Sequence, residues 1–151
     1  MISKKYPVGS VYSIQDEDRG FYYACIANGG DVLFLDINTQ DIDTGVLEKR
    51  FFLRLPVIYP SMKRAGWKRV AIFPVEGDVA EKGYYRYQRF DMPEPAIWCF
   101  DEETYFFPEG KNFPKLEILA FWDAQYHILP LLRYHFFKIE TPILKKIVTP
   151  I

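Results

Sequence analysis

Apolar and polar positions are arranged from the start of the chain as strands and turns. Val8 to Ile14 and Gly20 to Ala27 are two aromatic-rich runs separated by the charged stretch Gln15-Asp-Glu-Asp-Arg19, and Asn28-Gly-Gly30 leads into a third run, Asp31 to Ile37. Connections this short cannot return a parallel strand, so the three runs predict an antiparallel meander. Both parities of the first two runs are apolar: Tyr12, Ile14, Tyr22 and Ile26 on one, Val11, Phe21, Tyr23 and Cys25 on the other. A sheet with two apolar faces needs cover on both.

A polar loop, Asn38 to Glu48, precedes Lys49 to Ile58, a strand expected to show Phe51, Leu53, Leu55 and Val57 on one face. Pro56 cannot donate to a ladder, so this strand ends there, bulges or lies at an edge. Tyr59 to Gly66 suits one short helical turn stopped by Gly66. Trp67 to Val75 alternates again, with Trp67, Ala71, Phe73 and Val75 expected to point one way. Tyr84 to Phe90 reads as a strand, and Ala96 to Phe100 with Thr104 to Phe107 as a hairpin around Asp101-Glu-Glu103. Lys115 to Trp122 is expected to be the last strand. Asp123 is placed to cap a helix running to about Phe137 or Lys138, which Pro130 should kink or restart.

The pattern predicts a mostly β, α+β fold of about eight strands and one substantial helix, placed last. The expected architecture is a strongly twisted antiparallel sheet or half-barrel, with closure covering one face and the C-terminal helix the other. The chain of 151 residues fits a single domain, residues 1–151, long enough to bury a sizeable core. Its longest wholly apolar run, Phe21 to Ala27, is far too short to cross a bilayer as a helix, so no membrane partner is expected. Met1 to Pro7 lacks the apolar stretch of a signal peptide, and Cys25 and Cys99 sit inside apolar runs. Those features lead to the expectation of a cytoplasmic protein with two buried free thiols.

Charge changes the picture more than composition does. The net charge is −1, but residues 1–48 carry −5, residues 49–90 carry +7 and residues 91–151 carry −3. Clustered charge steers partners, although interleaved strands can also scatter such blocks over ordinary solvated faces.

Catalytic chemistry is hard to find in the residues. The two histidines, His127 and His135, would stand about 12 Å apart along a helix axis and about 80° apart around it, too far to share one ion. With no Cys-x-x-Cys and no His-Glu-x-x-His, no metal, cofactor or catalytic residue is expected, and the reading is not an enzyme. Asp16, Glu17, Asp18, Asp41 and Asp43 fall in turns, either as solubilising residues or as an acidic surface for a basic partner such as a nuclease. Tyr84, Tyr85, Arg86, Tyr87 and Arg89 interleave aromatics with arginines. With Lys68 and Arg69, that composition fits either stacking and phosphate contacts with nucleic acid or the residue types common at protein hot spots.

Three pieces of the chain, taken together, resemble the immunity protein 26 family of bacterial polymorphic toxin systems. Gly9-Ser-Val-Tyr-Ser-Ile14 followed by Gly20-Phe-Tyr-Tyr-Ala-Cys-Ile26 is similar to the family's opening hairpin, and Gly66-Trp67-Lys68 to its mid-chain glycine–tryptophan step. Leu116 to Asp123, followed by a helix with His127, Ile128 and Arg133, is similar to its closing strand and helix. The chain departs from the family pattern at Gln15, where a proline is usual, and at Leu132-Arg133-Tyr134. The resemblance implies a mostly β protein that neutralises a cognate toxin by binding it, with no catalytic residues to carry over. The ten acidic and aromatic–basic residues named above are its candidate contacts. The alternative, from a different class, is a nucleic-acid- or ligand-binding β module using the basic, aromatic middle segment.

Overall fold

The computed structural model describes residues 6–42, 47–87, 89, 91–92, 94–108, 116–117 and 119–142. The opening meander forms as its pattern dictates: β1 (Ser10–Gln15) pairs antiparallel with β2 (Phe21–Ile26), and β2 with β3 (Val32–Leu35). β4 (Phe51–Leu55) joins β3, the chain crosses the sheet through the short helix α1 (Tyr59–Arg64), and β5 (Lys68–Ile72) joins the far side of β1. The result is a five-stranded sheet in the order β4-β3-β2-β1-β5. The remaining strands do not extend it. β6 (Tyr84–Tyr87), β7 (Ala96–Cys99) and β8 (Thr104–Phe106) form a separate antiparallel sheet in that order.

The two apolar parities of β1 and β2 divide between two cores. Tyr12, Ile14, Tyr22 and Ile26 pack with Phe34, Leu55, Met62 and Trp67, and with Ala124, Ile128 and Leu132 from the C-terminal helical segment. Val11, Tyr23 and Cys25 pack with Leu33, Leu35, Phe73 and Val79 on the other face, where Phe21 also lies. Helices cover the first face. The second is covered by the curl of the sheet itself: Phe51 of β4 meets Phe73 just beyond β5 edge to face, ring centres 6.3 Å apart, and Lys49 pairs with Glu76 at 2.9 Å. Opposite edges of the sheet thus touch through side chains without closing into a barrel.

Two β-bulges make that curl and overturn two expectations about facing. Between β3 and β4 the register shifts at Phe34/Leu35, leaving Phe52 extra, so Phe51 enters the second core while Phe52 and Leu53 pack on the first. Between β1 and β5 the shift at Val11/Tyr12 leaves Val70 extra, so Trp67 lies in the first core and Ala71 and Phe73 in the second. An unpaired extra residue bends its strand and increases local twist, and it resets the two-residue alternation that strict parity assumes.

The C-terminal segment departs from expectation at its start. Lys115 and Ile118 lie outside the described residues, and Leu116, Glu117 and Leu119 to Trp122 are not a regular strand. They still connect the sheets. Arg86 of β6 donates its backbone N–H to the Glu117 carbonyl and accepts from Leu119 N–H, while Trp122 exchanges backbone bonds with Pro56 and Ile58. Asp123 caps the helix as expected, accepting from the backbone N–H groups of Gln125 and Tyr126, both at 2.9 Å. Pro130 has no N–H to give a regular ladder, and Ala124–Ile128 form a π-helical turn before α2 proper (Leu129–Phe137) begins. Lys138, in the left-handed conformation, ends it. Among the described residues no helix is long and apolar enough to cross a membrane.

α2 is tied to the first hairpin by a buried ion pair. Asp16, only 1% exposed, accepts from Arg133 Nε at 3.0 Å, Arg133 Nη2 at 2.8 Å and the Tyr22 hydroxyl at 2.7 Å. Burial by itself would raise the Asp16 pKa, but the Arg133 guanidinium and the Tyr22 hydroxyl hold it below the ordinary carboxylate value. Burial and the same carboxylate push the Tyr22 hydroxyl up. Removing one partner of a buried pair leaves an uncompensated charge, so Arg133→Met should cost about 2–4 kcal/mol at neutral pH. Because the folded-state pKa of Asp16 is depressed, its contribution is present above the unfolded value of about 3.9 and lost as pH falls through the folded value. Without Arg133 the buried Asp16 takes up its proton more readily, so urea unfolding of both proteins from pH 7 downward should show the gap beginning to narrow above about pH 4 and continuing to close as pH falls through the parent's depressed folded value.

Candidate functional site

The second sheet is fastened to the first through one carboxylate. Asp31 follows the β2–β3 turn and is fully buried. Arg54, from β4, grips it with both prongs of its guanidinium, Nε to Oδ2 at 2.6 Å and Nη2 to Oδ1 at 2.9 Å, and also donates to the backbone carbonyl of Glu81 at 2.7 Å. Tyr85, from β6, donates its hydroxyl to Oδ2 at 2.5 Å. Burial and the Asp31 charge push the Tyr85 hydroxyl well above its ordinary pKa. Although burial works against it, the guanidinium of Arg54 is held charged by Asp31. Gly83 is required here because a Cβ would overlap the Asp31 carboxylate.

From that anchor an aromatic face runs outward. Tyr85, Trp98 and Tyr105 are register partners across β6, β7 and β8, and directly opposed side chains share a face. Exposure rises along the row, from Tyr85 fully buried through Trp98 half-buried to Tyr105 exposed. Tyr87 lies 4.9 Å from Trp98 and 5.5 Å from Tyr105 between ring centres, and Phe107 continues the row 6.0 Å from Tyr105. Where the two sheets diverge this face borders a cleft of about 560 Å³. Its walls include Trp98 and Phe100 on one side, Val57, Ile58 and Tyr59 at the start of α1 on another, and Leu119 and Phe121 from the stitching segment. Phe121 is 63% exposed. Tyr59 is held by donating its hydroxyl to the Gly30 carbonyl at 2.5 Å, and burial raises its pKa to about 12.

The ten candidate contacts separate. Asp16 is corrected: it is a buried structural carboxylate with its oxygens occupied, so it presents nothing to a partner. Glu17, Asp18 and Asp41 are exposed, and Asp43 lies outside the described residues. Tyr85 is likewise buried, as the anchor. Tyr84 and Arg89 are exposed, Arg86 and Tyr87 half-buried, and Arg89 pairs with Asp91 at 3.3 Å. Lys68 and Arg69 lie on β5 in the first sheet, not beside the aromatic face.

The histidines and cysteines have separate local roles. His127 Nδ1 accepts from the backbone N–H of Asp123 at 2.8 Å, and His135 bonds Asp36 through Nε2 at 2.8 Å with its ring stacked 3.6 Å from Phe52. Cys25 and Cys99 are free and buried, and burial pushes the Cys25 thiol up to about 12. Among the described residues no group of three or more histidine, cysteine or acidic side chains is placed to hold a metal ion.

Sequence reading missed Asp31, Arg54, Trp98, Phe100 and Phe121. The available signal was Arg54, a charge inside the apolar run Phe51 to Leu55. A charge at such a position calls for a buried partner. Comparison of the chain with protein-family models, with curated proteins and with solved structures yields no match.

Gly83→Ala forces the new methyl group into the Asp31 carboxylate and should destabilise the protein by about 1–3 kcal/mol in urea unfolding, the usual range for overpacking. Gly66, with open space around its Cβ position, shows no such overlap despite its left-handed backbone. Gly66→Asn, which tolerates that backbone, should therefore change stability far less.

Proposed function

We propose that this protein is a binding protein of the immunity type, which neutralises a cognate toxin effector in the cytoplasm by occupying it and performs no chemistry of its own. The observation that carries this reading is the aromatic surface formed by the second sheet, pinned by Asp31, together with the stitching segment, with Tyr105 and Phe107 exposed on the former and Phe121 on the latter. Large exposed apolar rings clustered on a rigid element mark interaction surfaces, and Tyr and Trp are enriched among residues that dominate binding energy. A standard interface of about 1,600 Å² is sufficient for inhibition by occlusion. The resemblance of the opening hairpin, the Gly66-Trp67 step and the closing segment to the immunity protein 26 family supports the same reading.

The acidic contribution is narrower than the sequence suggested, since only Glu17, Asp18 and Asp41 remain as described, exposed candidates. Charges of that kind act mainly on association rate. Protein binding is favoured over nucleic-acid binding because the aromatic face and the Lys68–Arg69 pair belong to different sheets.

The test is rescue of growth on co-expression with toxin domains encoded beside this protein's gene, together with pull-down of the purified pair. Tyr105→Ala with Phe121→Ala, both at exposed positions, should leave thermal unfolding unchanged and weaken toxin binding roughly 30-fold or more, abolishing rescue. Charge reversal at Glu17, Asp18 and Asp41 should slow association and reduce its salt dependence while rescue persists. Full rescue by a folded Tyr105→Ala/Phe121→Ala variant would contradict the assignment of this face.

A further inference from the structure

The cleft beside the aromatic face has one charged residue among its described lining, Glu103. Its surroundings are otherwise apolar and aromatic, chiefly Trp98, Phe100 and Phe121, with Phe100 and Phe121 ring centres 6.2 Å apart. Glu103 sits in the β7–β8 turn with φ of 52°, a left-handed backbone that residues other than glycine adopt uncommonly. The neighbouring carboxylate, Glu102, is engaged by Lys82 at 2.6 Å, whereas Glu103 has no ion-pair partner among the described residues. The turn therefore spends one carboxylate on the fold and presents the next at the edge of an aromatic cleft.

Aromatic faces attract cations through the ring quadrupole, and a carboxylate beside them adds a charged acceptor. We propose that this cleft is a receptor for an arginine side chain of the protein partner, with the guanidinium between the aromatic rings and Glu103 and the aliphatic stem against Val57 and Leu119. Arginine suits it better than lysine, because the guanidinium is planar, stacks on rings and is less strongly hydrated than an ammonium group. Its stem also gains from apolar cover that a small hydrated cation would not use. This inference deepens the binding reading and rests on it for its partner, but the cleft's chemistry is measured without one.

The experiment titrates the full chain with N-acetyl-arginine amide and with its neutral isostere N-acetyl-citrulline amide, followed by tryptophan fluorescence and by amide and indole NMR shifts. The arginine probe should saturate with a dissociation constant of about millimolar, as expected for a fragment-sized ligand. It should move the resonances of Trp98, Glu103 and Phe121, and the citrulline probe should bind at least roughly fivefold more weakly. Glu103→Gln, at an exposed turn, should keep the circular dichroism and thermal midpoint of the parent and bring the arginine probe down to the citrulline level. Phe121→Leu, also exposed, should weaken the arginine probe while retaining an apolar side chain. Equal affinity for the two probes, an unaltered arginine affinity in Glu103→Gln, or saturation by neither probe would each overturn the proposal. Failure of the toxin reading registers elsewhere, as absence of growth rescue, so the two results are distinguishable.

Discussion

Asp31 places a carboxylate in a fully buried position where three parts of the chain converge on it. Arg54 reaches it from an edge strand of the first sheet, Tyr85 from the second sheet, and Gly83 makes room for it by having no side chain. A charge in that position is costly unless every lone pair is engaged, and the bidentate guanidinium with the phenolic hydroxyl engages both oxygens. The second sheet has only short strands and would be marginal on its own. Its position, and with it the aromatic face and the adjoining cleft, depends on that joint and on the stitching bonds at Glu117, Leu119 and Trp122.

A second joint, between Asp16 and Arg133, holds the C-terminal helix against the convex face of the first sheet. The two joints use the same device at different places: an aspartate in or beside a hairpin turn, an arginine from a distant element and a tyrosine hydroxyl. Each fixes the mutual orientation of its two elements through a bidentate geometry. A helix on a flat apolar face can slide, but a bidentate pair admits one register. Retention of such pairs for specificity is a hypothesis that replacement of a whole triad by apolar residues would check.

Much of the fold was legible because β1, β2 and β3 are joined by tight turns and their alternation runs without interruption. The split of Tyr12, Ile14, Tyr22 and Ile26 from Val11, Tyr23 and Cys25 between two cores follows from strict two-residue periodicity. The same logic failed at Phe51 and Trp67, because bulges at Phe52 and Val70 each insert one residue and invert the faces beyond them. No sequence signal distinguished those bulges from continuous strands. Asp123 was legible as a cap because capping is local. Asp16 was misread as exposed because a turn position says nothing about an arginine that arrives 117 residues later. The cleft was invisible for the same reason: Val57, Trp98 and Phe121 come together only after two sheets have been placed.

The central claim is that the Asp31 joint positions the second sheet, and Tyr85→Phe isolates it by deleting one hydroxyl while leaving the Asp31–Arg54 pair intact. Native-state amide hydrogen exchange, residue by residue, is the direct measurement. With a net hydrogen-bond contribution to a charged acceptor of about 1.5–3 kcal/mol, protection in β6, β7 and β8 should fall by roughly tenfold or more, while β1, β2 and β3 keep most of theirs. Uniform loss across both sheets, or unchanged protection in the second sheet, would contradict the account.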